Sequence, residues 1–219
     1  MYRLHKSTKA DINNIAACHQ VCFKDSLSAK LGEGYTAKTL EWFLVKENRF
    51  LFHICDEDKV IGYCGGFSPQ FIGDGSTSGM LQFAMGEAIK GVIKRPWLIF
   101  HPVLMQFYPL IIRNICKRIF GTQQKRTEVE RSIVEDRKIG LVVIGVHPHF
   151  RGKKVFEQLM NAFEKETAER HISNMYLSVK KTNHRAVNAY KKAGWQIEKE
   201  HDASFEMIKQ MLSVIEVAE

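Results

Sequence analysis

Arg151, Gly152, Lys153 and Lys154 stand between an apolar, β-rich run at 139–146 and an amphipathic helical pattern that begins at Val155. A strand that runs into a helix gathers unpaired backbone N–H groups and the positive end of the helix dipole at one point. Phosphates bind such points, and an arginine with two lysines strengthens the pull. About forty residues later a second set follows: Asn183, Ala186, Tyr190, Gly194 and Trp195. Asn183 suits a helix N-cap, Ala186 and Tyr190 fall on one helix face at i and i+4, and Gly194 suits a C-terminal stop.

Other chemistries are excluded or left open by residue type. His147-Pro148-His149 offers a single pair of imidazoles without further clustered ligands, so no metal is assigned. No strand–Ser–helix elbow and no Walker-type loop is present. His147 is the one titratable side chain beside the apolar run. Glu33, His53, Glu135 and Glu206 are further candidates for a general base, with relay through water as an equal alternative, and no base is assigned. The five cysteines, Cys18, Cys22, Cys55, Cys64 and Cys116, lack paired spacing and read as reduced thiols of a cytoplasmic protein. The N-terminus shows no secretory pattern.

The elements that must position these residues read as an α/β layering. Residues 2–5 form a short strand. Thr8 or Asp11 caps a helix on which Ile12, Ile15, Ala16, Val21 and Cys22 recur at helical spacing. Residues 23–35 read as a loop or short helix, and Thr36 as the N-cap of a helix over 40–46. Two β-rich runs, 50–55 and 60–64, flank an acidic turn at 56–59. The helix from 155 to about 169 carries Val155, Leu159, Ala162, Phe163 and Glu166 on one stripe. With strands at 139–146 and 175–179 it makes a βαβ unit, so these two strands are expected to be parallel. Strands at 195–199 and 205–208 complete the chain.

The net charge of +8 is concentrated. Between Glu87 and Glu128 there is no acid, and Lys90, Lys94, Arg95, Arg113, Lys117, Arg118, Lys125 and Arg126 supply the whole excess. That distribution, without a nucleic-acid-binding module, argues against nucleic acid as partner. Residues 70–130 therefore read as a basic, aromatic helical insertion in a single domain of 1–219, with a helix over 79–95 and a polar linker at 121–131. Residues 97–112 are aromatic but hold Pro102 and Pro109, and are too short to span a bilayer, which needs about 20 apolar residues. The insertion reads either as a cap packed on its own domain or as an interfacial surface at 90–126 suited to a membrane headgroup layer, at the inner face of the membrane. Self-association into a homodimer stays open.

The pattern Asn183-x-x-Ala186-x-x-x-Tyr190-x-x-x-Gly194-Trp195 resembles the signature after the fifth strand of the GNAT superfamily of acyl-CoA-dependent N-acyltransferases. Val146-x-Pro148-x-Phe150-Arg151-Gly152-Lys153 is similar to that family's pyrophosphate-binding motif. The resemblance covers 1–67 and 132–211. It implies a mixed, strongly twisted sheet flanked by helices in a three-layer α+β fold, with the segment 70–130 inserted as a helical cap after the third strand. It also implies acetyl-CoA, or another acyl-CoA, as co-substrate and a primary amine as acceptor. By the same resemblance, Ile144, Gly145 and Val146 would pair with the pantetheine arm. The amides of Arg151, Gly152, Lys153, Lys154 and Val155 would receive the pyrophosphate. Asn183 and Ala186 would flank the arm, and Tyr190 would protonate the departing thiolate. Two positions depart from the family pattern: Lys154 stands where glycine is usual, and Phe156 where glycine or alanine is usual. The loop and cap are faintly similar to GNAT proteins of surface-polysaccharide gene clusters. That similarity and the basic segment suggest a phosphate-bearing acceptor, an amino-sugar nucleotide or a lipid-linked amino sugar. The alternative function is a non-catalytic CoA-binding or membrane-surface protein.

Overall fold

The computed structural model describes residues 2–70, 74–105, 108 and 137–211. Two apolar faces on one sheet decide the architecture. Seven strands lie in the order β1-β2-β3-β4-β5-β7-β6. They are β1 (Arg3–Lys6), β2 (Arg49–Asp56), β3 (Lys59–Phe67), β4 (Lys138–Val146), β5 (Asn174–Lys180), β6 (Gln196–Glu200) and β7 (Ser204–Gln210). The β4–β5 pair is parallel, as the βαβ pattern requires, and every other pair is antiparallel.

On one face of the sheet lie helices α1 (Ile12–Cys22), α2 (Leu27–Leu31) and α3 (Glu33–Glu41). Ile15, Ala16, Leu40, Trp42 and Phe43 pack there against Leu51, Tyr63 and Phe67. The inserted helices α4 (Ser76–Phe83), α5 (Met85–Lys94) and α6 (Pro102–Met105) adjoin this side. On the other face α7 (Val155–Glu169) and α8 (His184–Lys192) bury Val155, Leu159, Phe163, Val187 and Tyr190 against Phe50, Ile61, Ile139 and Leu177. The stripe read from the sequence of α7 is the stripe that is buried, Glu166 included: its carboxylate is held by Arg170 Nη2 at 2.6 Å and Lys6 Nζ at 3.2 Å. A carboxylate is tolerated at such a place when cations stay in contact with it.

Two local expectations are corrected. Thr36 does not cap a helix at 40–46. It is fully buried inside α3, its Oγ1 donates to the Ser28 carbonyl, and the cap position is Gly32, whose φ of 107° turns the chain where a side chain would be strained. The helix expected over 79–95 is two helices that break at Ala84, so that Leu81 and Ala88 both face inward. Of the two readings of 23–35, loop or short helix, the short helix holds: it is α2, followed by the start of α3. The insertion is seated by close contact: a Cβ at Gly91 of α5 would stand 2.4 Å from the Leu31 carbonyl oxygen, so α5 and α2 meet backbone to backbone. The basic residues Arg113, Lys117, Arg118, Lys125 and Arg126, the expected linker at 121–131, Cys116 and Glu135 lie outside the described residues.

Candidate functional site

Strands β4 and β5 hold together only at their beginnings. Their register runs Lys138↔Asn174, Ile139↔Met175 and Gly140↔Tyr176, after which β5 continues against β7 while β4 continues against β3. Among the described residues, the β5-facing edge of 141–146 is thus left without a strand neighbour. Beside it opens a cleft of about 880 Å³, within the size range of small-molecule sites. On its other side β4 carries a β-bulge against β3. Gly65 pairs with Val143 and Gly66 with Leu141, so Val142 is the extra residue. Such bulges bend a strand and release backbone groups from the ladder.

The cleft collects residues from both sequence motifs. Ile144, Gly145, Val146, Arg151, Gly152, Asn183, Ala186 and Tyr190 line it. Lys153, Lys154 and Val155 are not in its lining; the two lysines sit at the adjacent turn and Val155 begins α7. Phe156 is a wall of the cleft, its ring 5.8 Å from that of Tyr190. The space persists with the large side chain in place.

The turn is built from two residues with positive φ, Gly152 at 78° and Lys154 at 61°. Glycine adopts this region freely, whereas lysine there is strained. Lys154 is the N-cap residue of α7, so the departure read from the sequence falls on a left-handed backbone position. Arg151 reaches back, its Nε donating to the Val146 carbonyl at 3.2 Å, which ties the basic turn to the end of β4. On the opposite wall Asn183 caps α8, its Oδ1 accepting from the Ala186 amide at 3.2 Å. Tyr190 is 7% exposed, and burial pushes its phenol above the ordinary value, so it is protonated at neutral pH. Among the described residues no hydrogen bond engages Tyr190 Oη.

Of the base candidates, His53 is buried with Nδ1 against Ser7 Oγ at 2.8 Å, and Glu206 faces His201 at 3.4 Å. His147 lines a separate recess of about 510 Å³ with Asp56, Asp58 and Lys59. Neither these three nor Glu33 is among the residues lining the cleft, or the larger cavity beside it.

That larger cavity, of about 1050 Å³, lies between the N-terminal helices and the insertion, and it touches the cleft at Val142 and Val143, which line both. His19 lines it. Its Nδ1 is 2.5 Å from Tyr63 Oη, its Nε2 is 2.8 Å from Ser28 Oγ, and Ser28 Oγ is 2.9 Å from Ser26 Oγ. Burial lowers the His19 pKa to about 4, leaving the ring neutral at pH 7. Sequence reading missed His19 because its partners are distant in the chain, and only the buried face of α1 hinted at them.

A mixed seven-stranded sheet with one splayed parallel pair and helices on both faces is the arrangement of the GNAT fold. Residues 122–195 match the model of the Acetyltransferase (GNAT) family. No curated protein matches the chain. Among solved structures, the PaiA N-acetyltransferase of Thermoplasma acidophilum in complex with coenzyme A is 13% identical with a TM-score of 0.54, over 96% of this chain and 99% of that one. A GNAT acetyltransferase of Streptococcus pneumoniae is 14% identical with a TM-score of 0.54, over 96% and 99%. An acetyltransferase of Thermus thermophilus is 10% identical with a TM-score of 0.55, over 96% and 97%. What these neighbours share with the chain is the fold.

Proposed function

We propose that the protein transfers an acetyl group from acetyl-CoA to a primary amine by direct attack in a ternary complex. The observation that carries this reading is the unpartnered edge of β4 at 141–146, which opens on a cleft shared with the basic turn and with Tyr190. An amide-bearing arm can pair with that edge as a strand would. The amides of Arg151, Gly152, Lys153, Lys154 and Val155 would hold the pyrophosphate, aided by the dipole of α7 and by the side chains of Arg151, Lys153 and Lys154. Asn183 and Ala186 flank the arm from α8.

The amine nitrogen attacks the thioester carbonyl carbon. As the C–N bond forms, the C–S bond breaks, and the thiolate takes the Tyr190 proton, which a phenol kept protonated by its burial can supply. Rate arises chiefly from holding amine and thioester together.

The acceptor classes suggested by the basic segment are an amino-sugar nucleotide and a lipid-linked amino sugar. Membrane contact would fall where Lys90, Lys94 and Arg95 adjoin the exposed Trp97 and Phe100. Among the described residues no helix is long and apolar enough to cross a membrane. Calorimetry with acetyl-CoA, followed by thiol release with a panel of amines, tests the proposal. Saturable binding with amine-dependent release is expected. Binding without release from any amine would favour a non-catalytic CoA-binding protein. Sedimentation with anionic liposomes tests the surface, and no retention would reject it.

A further inference from the structure

We infer that the acceptor is a primary amine with an extended apolar body, bound in the cavity between the insertion and the N-terminal helices; this rests on the acetyl-transfer reading above and replaces the phosphate-bearing acceptors named there. The cavity has about 1050 Å³, and among the described residues that line it there is no Asp, Glu, Lys or Arg. Large apolar side chains come from both sides, Leu31, Leu40 and Phe43 from the core helices and Met80, Leu81 and Val92 from α4 and α5, while Tyr35, Thr39, Thr77 and Gln82 add only uncharged polar groups. A nucleotide diphosphate would meet no cation among the described lining residues, and burying an unpaired charge is costly. An alkyl or aryl body meets a surface that it removes from water. The basic residues of α5 lie outside the lining, so they do not supply what a buried phosphate needs.

The orientation of such a ligand follows from where the cavity is polar and where it meets the cleft. His19 and Ser28 supply polar groups on the core-helix side, and Val142 and Val143 are the wall shared with the cleft. The amine at that wall reaches the thioester side of β4, while the body lies under α4 and α5.

The same apolarity accounts for the want of an acidic base. An ammonium ion buried without a carboxylate partner has its pKa lowered, so the amine is held as the free base that can attack. In the transfer the nitrogen gains the acetyl carbon and loses one proton to water, and the thiolate gains one proton. No oxidant or further reactant is needed.

Calorimetric titration of the protein with ethylamine, butylamine, hexylamine, octylamine and glucosamine 6-phosphate tests the inference independently of turnover. Affinity should rise from butylamine to octylamine by roughly fourfold for each added methylene that is buried. Ile89 lines the cavity yet is 53% exposed, so Ile89→Glu should fold and should weaken octylamine at least tenfold. Trp97 is exposed and outside the lining, so Trp97→Ala should leave octylamine binding unchanged. Affinity that is flat along the series, or tighter binding of glucosamine 6-phosphate than of octylamine, would overturn the inference. Thiol release with acetyl-CoA is read separately: release from polar amines with flat alkylamine binding rejects the apolar acceptor alone. Graded alkylamine binding with no release from any amine supports the ligand class and rejects acetyl transfer.

Discussion

Tyr63 Oη and His19 Nδ1 stand 2.5 Å apart, and the Tyr63 ring lies across Gly145 of β4, so the imidazole of α1 is fixed relative to the strand that borders the cleft. A neutral imidazole donates through one ring nitrogen and accepts through the other. With Tyr63 on Nδ1 and Ser28 on Nε2, both are engaged, and the chain Tyr63–His19–Ser28–Ser26 can pass a proton along its length. Replacement of His19 by glutamine keeps a polar group but ends that relay. Turnover in the thiol-release assay should fall about 100-fold, the lower range for general acid–base contributions, with the KM for acetyl-CoA unchanged. An equal loss in acetyl-CoA affinity would show a merely structural role.

His19 also couples stability to pH. Its folded pKa, lowered by burial to about 4 from 6.5, means that the unfolded chain binds the proton first as pH falls. Stability from this group is therefore full above pH 6.5 and is lost progressively down to about pH 4, with roughly 2 kcal/mol gone by pH 5. His53 and His147 are lowered by burial too and act in the same direction. Urea unfolding at pH 7.5 and pH 5 should show a smaller difference for His19→Gln than for the unaltered chain, and an identical difference would refute the assignment.

The strand–turn–helix motif and the Asn183 cap were legible in the sequence because they are short-range: their residue types and spacing carry the geometry. The parallel β4–β5 pair followed from the helix between them. Three features were not legible. The bulge at Val142 exists only through its pairing with Gly65 and Gly66, and the His19 network only through Tyr63, forty-four positions away. Thr36 looks like a cap in isolation, but the φ of Gly32 starts the helix earlier and buries it. Tertiary partners override local preference at these places.

Lys154 adopts φ 61° at the start of α7. Glycine would remove the left-handed strain, so Lys154→Gly should stabilise the fold by about 1 kcal/mol. It also removes one cation from the proposed pyrophosphate site, so the salt dependence of acetyl-CoA binding should become shallower. A denaturant midpoint that falls would mean that the lysine side chain makes a contact worth more than the strain.

Tyr190→Phe separates chemistry from stability. The ring packs between Phe156 and Trp195, with centroids at 5.8 and 6.1 Å, and these contacts survive in phenylalanine. Because no described residue hydrogen-bonds the hydroxyl, its loss leaves no partner unsatisfied, and stability should hold or rise slightly. Acetyl-CoA affinity should remain while thiol release drops 100-fold or more, as expected for a lost general acid. Unchanged release would remove Tyr190 from the mechanism.

Gly145→Ala tests whether the strand, Tyr63 and His19 act as one unit. The new methyl would stand 2.7 Å from Tyr63 Cε1 and 3.0 Å from Cζ, and a ring buried on all sides has little room to yield. Overpacking of this kind costs about 1–3 kcal/mol. The displaced ring would also lengthen the contact to His19, so activity should fall together with stability. Tyr63→Leu removes the clashing atoms, and the two changes combined should destabilise by less than the sum of the singles. Strict additivity in urea unfolding would show that Gly145 and Tyr63 do not meet as described, and would detach the His19 network from the strand that borders the cleft.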